Sequence, residues 1–335
     1  MRQLEFIEPG RLEWREADDP KLEGDREALV RPLAVATCDI DLLFVRGLAP
    51  VEDRYPFGHE CVAEVTDVGD SVASVKPGDL VSVPFQVSCG ECERCRRGHT
   101  GNCERVERMA TYGLPMGTNY GGFLSDSARV PFADAMLVPV PEGVDPASIA
   151  SLSDNIPDAW RTVGPHLRER PGEAVLICGG PATIALYATQ IALAMGAERV
   201  DFAGGTSYIR ERAEALGANM LEPEFPKRHG PYAITVDASA DPDGIACALR
   251  STEPEGVCTS IGIYFADTPL PLLEMYTKGI RFHTGRCHAR PAMDPLLDLV
   301  VSGALRPEEA TAETASWDEA PGAIAEHRAK LVISR

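Results

Sequence analysis

Four cysteines crowd into the stretch CGECERCRRGHTGNC, at Cys89, Cys92, Cys95 and Cys103, with gaps of two, two and seven residues. So tight a spacing is hard to bridge in pairs, because a disulfide needs its Cα atoms roughly 4.4–6.8 Å apart with matched side-chain directions. It suits a single tetrahedral zinc held by four thiolates, and a zinc with every position filled by protein staples a loop without doing chemistry. A disulfide-rich loop is the other reading of the same spacing. Under either one, function must be sought elsewhere in the chain.

At 335 residues, 44% hydrophobic and 25% charged, the chain exceeds the usual size of one globular domain, so two are expected. Asp and Glu outnumber Lys and Arg by 51 to 32, and the net charge of −19 repels phosphate backbones and anionic headgroups. Nucleic acid and membrane surfaces are therefore not expected partners. The N-terminus has no basic segment leading into an apolar run, and no later stretch is long enough to span a bilayer, so a cytoplasmic location is expected. The remaining cysteines, Cys38, Cys61, Cys178, Cys247, Cys258 and Cys287, sit in apolar surroundings as reduced core thiols would.

Short alternating runs such as ALVRPLAVAT and ECVAEVTDVG, punctuated by Gly, Pro and Asp, make residues 1–155 mainly β structure. From about Ile156 strand-like runs (AVLICGG, YAITVDAS, GVCTSIGI) alternate with helical ones (ALYATQIALAMGA, IRERAEALGA), which predicts a parallel sheet wrapped by helices over 156–285. Residues 286–335 are read as a return to the first domain.

The run AVLICGG leads directly into a helical segment, the strand, turn and helix that can set a pyrophosphate on a helix N-terminus. Against G-x-G-x-x-G the turn supplies Gly180 followed by Ala182 and Ala185, so only the tight-turn glycine is present, and a plain buried corner is the rival reading. The next strand, ERVDFAGG, ends at Gly204 and Gly205 with Thr206, Ser207 and Arg210 after them. An acidic side chain at that end would accept from the ribose hydroxyls of NAD; hydroxyls and a guanidinium instead suit a 2′-phosphate, so NADP is expected over NAD. Asp201, earlier in the strand, is the rival NAD ligand.

Four features in this order, Cys-x-x-Asp (Cys38, Asp41), Gly-His-Glu (Gly58, His59, Glu60), the four-cysteine loop and LSDNIPDAW before the dinucleotide segment, make the chain resemble the zinc-containing medium-chain alcohol dehydrogenases over essentially its full length. The resemblance implies an α/β protein with a GroES-like β-rich catalytic domain and a Rossmann domain, a doubly wound parallel sheet. It also implies one structural zinc and one catalytic zinc, the latter in the cleft between the domains. Cys38, His59 and Asp154 would be its ligands, with Asp154 standing where some members carry Cys. Glu60 would lie just behind the metal, Asp41 would hydrogen-bond His59, and Lys330 would reach the cofactor phosphates. A homodimer or homotetramer acting on a small alcohol or carbonyl follows from the same likeness. Taken one at a time, Cys38 and His59 also read as core residues and Asp154 as a helix cap.

One thiolate, one imidazole and one carboxylate leave a zinc an open position for an alcohol oxygen, from which hydride passes to a nicotinamide. Two residues depart from the family pattern: Ile40 and Leu43 stand where many members carry a hydroxyl residue and a histidine, and neither can move a proton. They suggest a drier site, suited to aliphatic or aromatic alcohols. The lost relay also leaves open a reductase of imines or activated double bonds, or a dinucleotide-binding protein without turnover.

Overall fold

The computed structural model of the chain describes every residue except 312 and 327–329. His327, expected with the other scattered histidines to be a surface or packing residue, therefore lies outside the described residues. The chain forms two compact units.

The first unit takes Met1–Pro157, His288–Val301 and Thr311–Arg335. Its larger sheet runs in the order Glu313–Ser316, Leu331–Ser334, Ala28–Ala36, Glu60–Val68, Leu80–Val83 and Val138–Pro139, with Ala128–Val130 also pairing with Ala28–Ala36. Alternation explains the first half of Ala28–Ala36, where Ala28 and Val30 are buried and Arg31 is exposed; past a register shift between Pro32 and Ala34, Val35 joins the core of Val30 while Ala34 and Ala36 pack with Ala150 and Val332. The core joins Leu4, Phe6, Tyr55, Phe57, Tyr112 and Phe123 to the inward valines of the sheet, and the Tyr112 and Phe123 rings lie 4.3 Å apart. The closing strand Leu331–Ser334 runs antiparallel to Ala28–Ala36 with Val332 opposite Ala36, which sets Lys330 beside Thr37.

The second unit takes Asp158–Cys287 and Ser302–Ala310. Its sheet is parallel throughout, in the order Asn219–Met220, Val200–Gly204, Val175–Gly179, Tyr232–Ala238, Thr252–Ser260 and Arg281–His283. Strands buried on both faces need unbroken apolar runs, and Val175–Gly179 and Tyr232–Ala238 are buried at every residue. The order reverses direction between Val175–Gly179 and Tyr232–Ala238, the doubly wound arrangement expected from the alternation. One boundary is corrected: Ser302–Ala310, read as part of the return to the first unit, belongs to the second. Gln190 donates to the Arg306 carbonyl at 2.8 Å and Arg212 to the Glu309 carbonyl at 2.9 Å. No helix among the described residues is long and apolar enough to cross a membrane.

Candidate metal centre

Three chain segments of the first unit bring the site together. Cys38 caps the helix Asp39–Val45, and the Asp41 carboxylate reaches back to accept from the Cys38 backbone N–H at 2.9 Å. The Cys-x-x-Asp spacing is thus a capping box, with the acid three residues into the helix satisfying an orphan donor. The other Asp41 oxygen faces His59 Nδ1 at 3.6 Å, an ion-pair separation longer than a hydrogen bond. His59 immediately precedes the strand Glu60–Val68. Against that strand Ser153 makes a reciprocal pair of bonds, its hydroxyl accepting from Cys61 N at 2.8 Å and donating to Cys61 O at 3.0 Å. That clasp delivers Asp154 to His59.

Ligand atoms of Cys38, His59, Glu60 and Asp154 all lie within 4.8 Å of one another, and all four residues are buried. Asp154 Oδ2 is 3.4 Å from both Cys38 Sγ and His59 Nε2. His59 Nε2 is enclosed yet has no hydrogen-bond partner, an arrangement that costs free energy unless something else fills the gap. Burial pushes the Cys38 thiol far above its ordinary value, and Asp154 and Glu60 push the same way. Burial alone would lower His59, but Asp41 and Asp154 outweigh it and carry the imidazole up to about 9. Anion beside anion needs a cation: sulfur, nitrogen and carboxylate donors around one point are the donor set of a divalent zinc, which would turn the thiol into a thiolate. The residues fit that ion.

Behind the ligands lies Lys330, 0% exposed. Its ammonium pairs with Glu60 Oε2 at 2.6 Å and donates to Thr37 O at 2.7 Å and Asn155 Oδ1 at 2.8 Å. Thr37, Glu60 and Asn155 are the chain neighbours of Cys38, His59 and Asp154, so one buried cation ties the segments of all three. This corrects the sequence expectation for Lys330, since an ammonium enclosed with three protein acceptors is no phosphate ligand. Burial lifts Glu60 to about 7 against the opposing pull of Lys330. Sequence reasoning passed over Asn155, which donates through Nδ2 to Cys38 Sγ at 3.1 Å and to Asp154 Oδ2 at 3.2 Å. Nothing in its spacing marks it, because its partners come from distant segments.

Ile40 and Leu43 sit half-buried one turn apart on the helix after Cys38. The Phe85 ring lies 5.8 Å from that of His59.

The four-cysteine loop forms a separate cluster, Cys89, Cys92, Cys95 and Cys103, again with ligand atoms within 4.8 Å. Backbone N–H groups of Cys89, Glu91, Cys92, Cys95, Glu104 and Arg105 point at the sulfurs at 3.4 Å. Burial opposes ionisation of Cys92, but donors from Glu104 and Cys95 outweigh it and draw the thiol down to about 6. Among the described residues all ten cysteines are free thiols.

In the second unit the strand Val175–Gly179 turns through Gly180, half-buried Ala182 and Thr183 into the helix Ile184–Ala194. A Cβ on Gly180 would stand 2.5 Å from the Ser239 carbonyl oxygen, so backbone approach from the neighbouring strand end already demands glycine there. Gly204 and Gly205 turn the chain with φ of +74° and +83°. Thr206 caps the helix Ser207–Ala215, accepting from Ile209 N at 3.4 Å, and Ser207 is exposed. Arg210 donates to the carbonyls of Gly204 at 2.9 Å and Leu221 at 2.7 Å. Asp201, weighed as a ribose ligand, is 3% exposed and bonded by Arg199, Asn219 and Tyr232, a sheet-flanking position. Asp237 accepts from Ser239, Ser260 and Tyr264, while Asp241 caps the following helix.

The profile of the Alcohol dehydrogenase GroES-like domain matches residues 24–142. An alcohol dehydrogenase of Geobacillus stearothermophilus is 29% identical over 323 residues, 92% of this chain and 90% of the relative. The zinc-type alcohol dehydrogenase B of Aspergillus flavus is 26% identical over 315 residues, 90% of this chain and 72% of the relative. Among solved structures, the alcohol dehydrogenase of Thermus sp. ATN1 is 28% identical with a TM-score of 0.86, covering 100% of this chain and 99% of that one. The likeness runs through both units: residues 24–142 match the GroES-like domain of the alcohol dehydrogenases, and over most of its length the chain is similar to zinc-type alcohol dehydrogenases.

Proposed function

We propose that the chain is a zinc-dependent oxidoreductase that moves a hydride between NADP(H) and a small alcohol or carbonyl compound. The convergence of Cys38, His59 and Asp154, with Glu60 beside them, is the observation that carries this reading. Cys38, His59 and Asp154 would hold a zinc ion that would supply Lewis acidity toward the alcohol or carbonyl oxygen, and a bound nicotinamide would supply the hydride chemistry. Asp41 stands 3.6 Å from the far nitrogen of His59 and, against the lowering effect of burial, acts on the ring by charge, holding the imidazole pKa up. Lys330 holds Glu60 in an ion pair beside the ligand set. A second zinc in the loop of Cys89, Cys92, Cys95 and Cys103 is structural.

Two features support NADP over NAD. No carboxylate stands among Thr206, Ser207, Tyr208, Ile209 and Arg210, the five residues after Gly204 and Gly205, and Asp201 has its oxygens occupied within the sheet. Thr206, Ser207 and Arg210 offer donors there, the guanidinium keeping further N–H groups beyond its two carbonyl contacts. Gly180 and Ala182 form the turn for the pyrophosphate. Ile40, Leu43 and Phe85 favour an aliphatic or aromatic alcohol over a polyol.

Exposed Ile263, Phe265, Leu272, Leu273 and Tyr276 on the second unit support burial against another copy, in a homodimer or homotetramer. A cytoplasmic location belongs to the same proposal. Metal analysis of the protein beside a Cys38→Ala variant is the deciding experiment. The variant is expected to lose the zinc of this site, keep that of the four-cysteine loop and lose turnover; an unchanged zinc content would overturn the reading. Steady-state kinetics with both cofactors test NADP, and a clear preference for NAD would reverse that part.

A further inference from the structure

Lysine has only donors, so the Asn155 oxygen must face Lys330 Nζ, where it accepts at 2.8 Å. That contact fixes the side-chain amide the other way round toward the ligands. Its nitrogen then donates toward Cys38 Sγ at 3.1 Å and Asp154 Oδ2 at 3.2 Å, the two ligand atoms that would be anionic around a bound metal. The residue is 3% exposed, and its backbone N–H also reaches Glu60 Oε1 at 3.3 Å.

We propose that Asn155, oriented by Lys330, is a positioning residue of the metal centre that clamps the Cys38 sulfur to the Asp154 carboxylate and draws electron density from both. The inference rests on the zinc reading above and goes beyond it. Two anionic ligands lower the effective charge of a divalent ion. Hydrogen bonds from a polarised amide to those same atoms offset part of that loss, because a donor on a thiolate or carboxylate weakens it as an electron-pair donor. The same bonds fix the separation of sulfur and oxygen before the ion arrives, which lowers the ordering cost of binding. Asn155 touches neither substrate nor reacting atoms in this account and acts through Cys38 and Asp154.

The full-length chain loaded with cadmium-113 tests the bond without mutation. A scalar coupling between the ion on Cys38 and the Asn155 side-chain amide proton is expected, passed through the N–H···S contact. The backbone amides aimed at the four-cysteine loop provide the internal standard. Couplings in the loop with none from Asn155, while cadmium occupies both sites, would overturn the proposal. Cadmium in the loop alone would remove the zinc reading itself, and this inference with it.

Two variants supply the second test. Asn155→Leu keeps the size and removes the donors, whereas Asn155→Asp keeps an oxygen for Lys330 but replaces the N–H groups by a second oxygen and adds a negative charge beside Cys38 and Asp154. In the cobalt-substituted variants the thiolate-to-metal absorption is expected at longer wavelength, and a chelator should strip the Asn155→Leu site about 10–100-fold more readily than wild type. Metal retained in the four-cysteine loop shows that the unit has folded. Wild-type absorption in both variants, with unchanged resistance to the chelator, would also overturn the proposal.

Discussion

Substituting Lys330 separates two roles that the sequence alone could not. A phosphate ligand would be missed only when cofactor binds, so its loss would raise the cofactor KM and leave the unliganded fold intact. The structure instead makes Lys330 an internal counter-charge: both it and Glu60 are 0% exposed, at 2.6 Å, and the ammonium also serves Thr37 O and Asn155 Oδ1. Lys330→Met preserves volume and removes the charge. Deleting one partner of a buried ion pair costs about 3–5 kcal/mol, since the other is left uncompensated in a low-dielectric interior. Each stranded neutral acceptor adds roughly 1–3 kcal/mol on its own, but the three share one donor, so these figures do not sum. We therefore expect a loss of about 3–5 kcal/mol in the first unit. It should be read as a fall in its melting temperature by calorimetry on zinc-loaded protein without cofactor. Glu60→Gln in the Lys330→Met background should recover much of the loss, because an amide no longer needs a counter-charge. A Lys330→Met protein as stable as wild type, with a raised cofactor KM, would refute the reasoning and restore the phosphate role.

Gly180→Ala should destabilise the second unit by about 1–3 kcal/mol through overpacking, because the new methyl meets the Ser239 carbonyl oxygen at 2.5 Å and backbone cannot yield; an unchanged melting temperature would contradict that approach. His166, lowered from 6.5 to about 4 by burial first and by His283 second, stays neutral in the fold while the unfolded chain takes up a proton. The unfolded state then binds more protons between those values, so stability is fully present above pH 6.5 and declines toward pH 4. The loss is about 1–2 kcal/mol at pH 5, and His166→Asn, which never charges, should lose that part of the slope in urea titrations at pH 5 and 7. Cys103→Ser should release the metal of the four-cysteine loop, measured by zinc content, while metal bound through Cys38 stays; loss of both would mean that the loop also holds up the other site.

What could be read from the chain and what could not divides along sequence distance. The cysteine loop spans so few residues that its spacing alone implies convergence, and the parallel sheet announces itself in runs such as AVLICGG and YAITVDAS, whose continuous apolar character requires cover on both faces. Cys38 and Asp41 were legible only through the resemblance, which had Asp41 hydrogen-bonding His59; in the structure that carboxylate caps the Cys38 N–H and stands 3.6 Å from His59 Nδ1. Lys330 was misread because its type and position near the end of the chain say nothing about register. Its partners are 293 and 175 residues away, and it meets them only because Leu331–Ser334 pairs with Ala28–Ala36 at Val332 opposite Ala36. Arg210 resembles a phosphate ligand in sequence, and its carbonyl partners at Gly204 and Leu221 appear only once the turn is built. The dependence also runs in reverse. A slip of one residue in that closing strand would turn Lys330 away and bring Leu331 to Glu60, leaving a buried carboxylate with no counter-charge. The ion pair therefore helps to select the register that places it, and the same selection sets Asn155 with its donors toward Cys38 and Asp154.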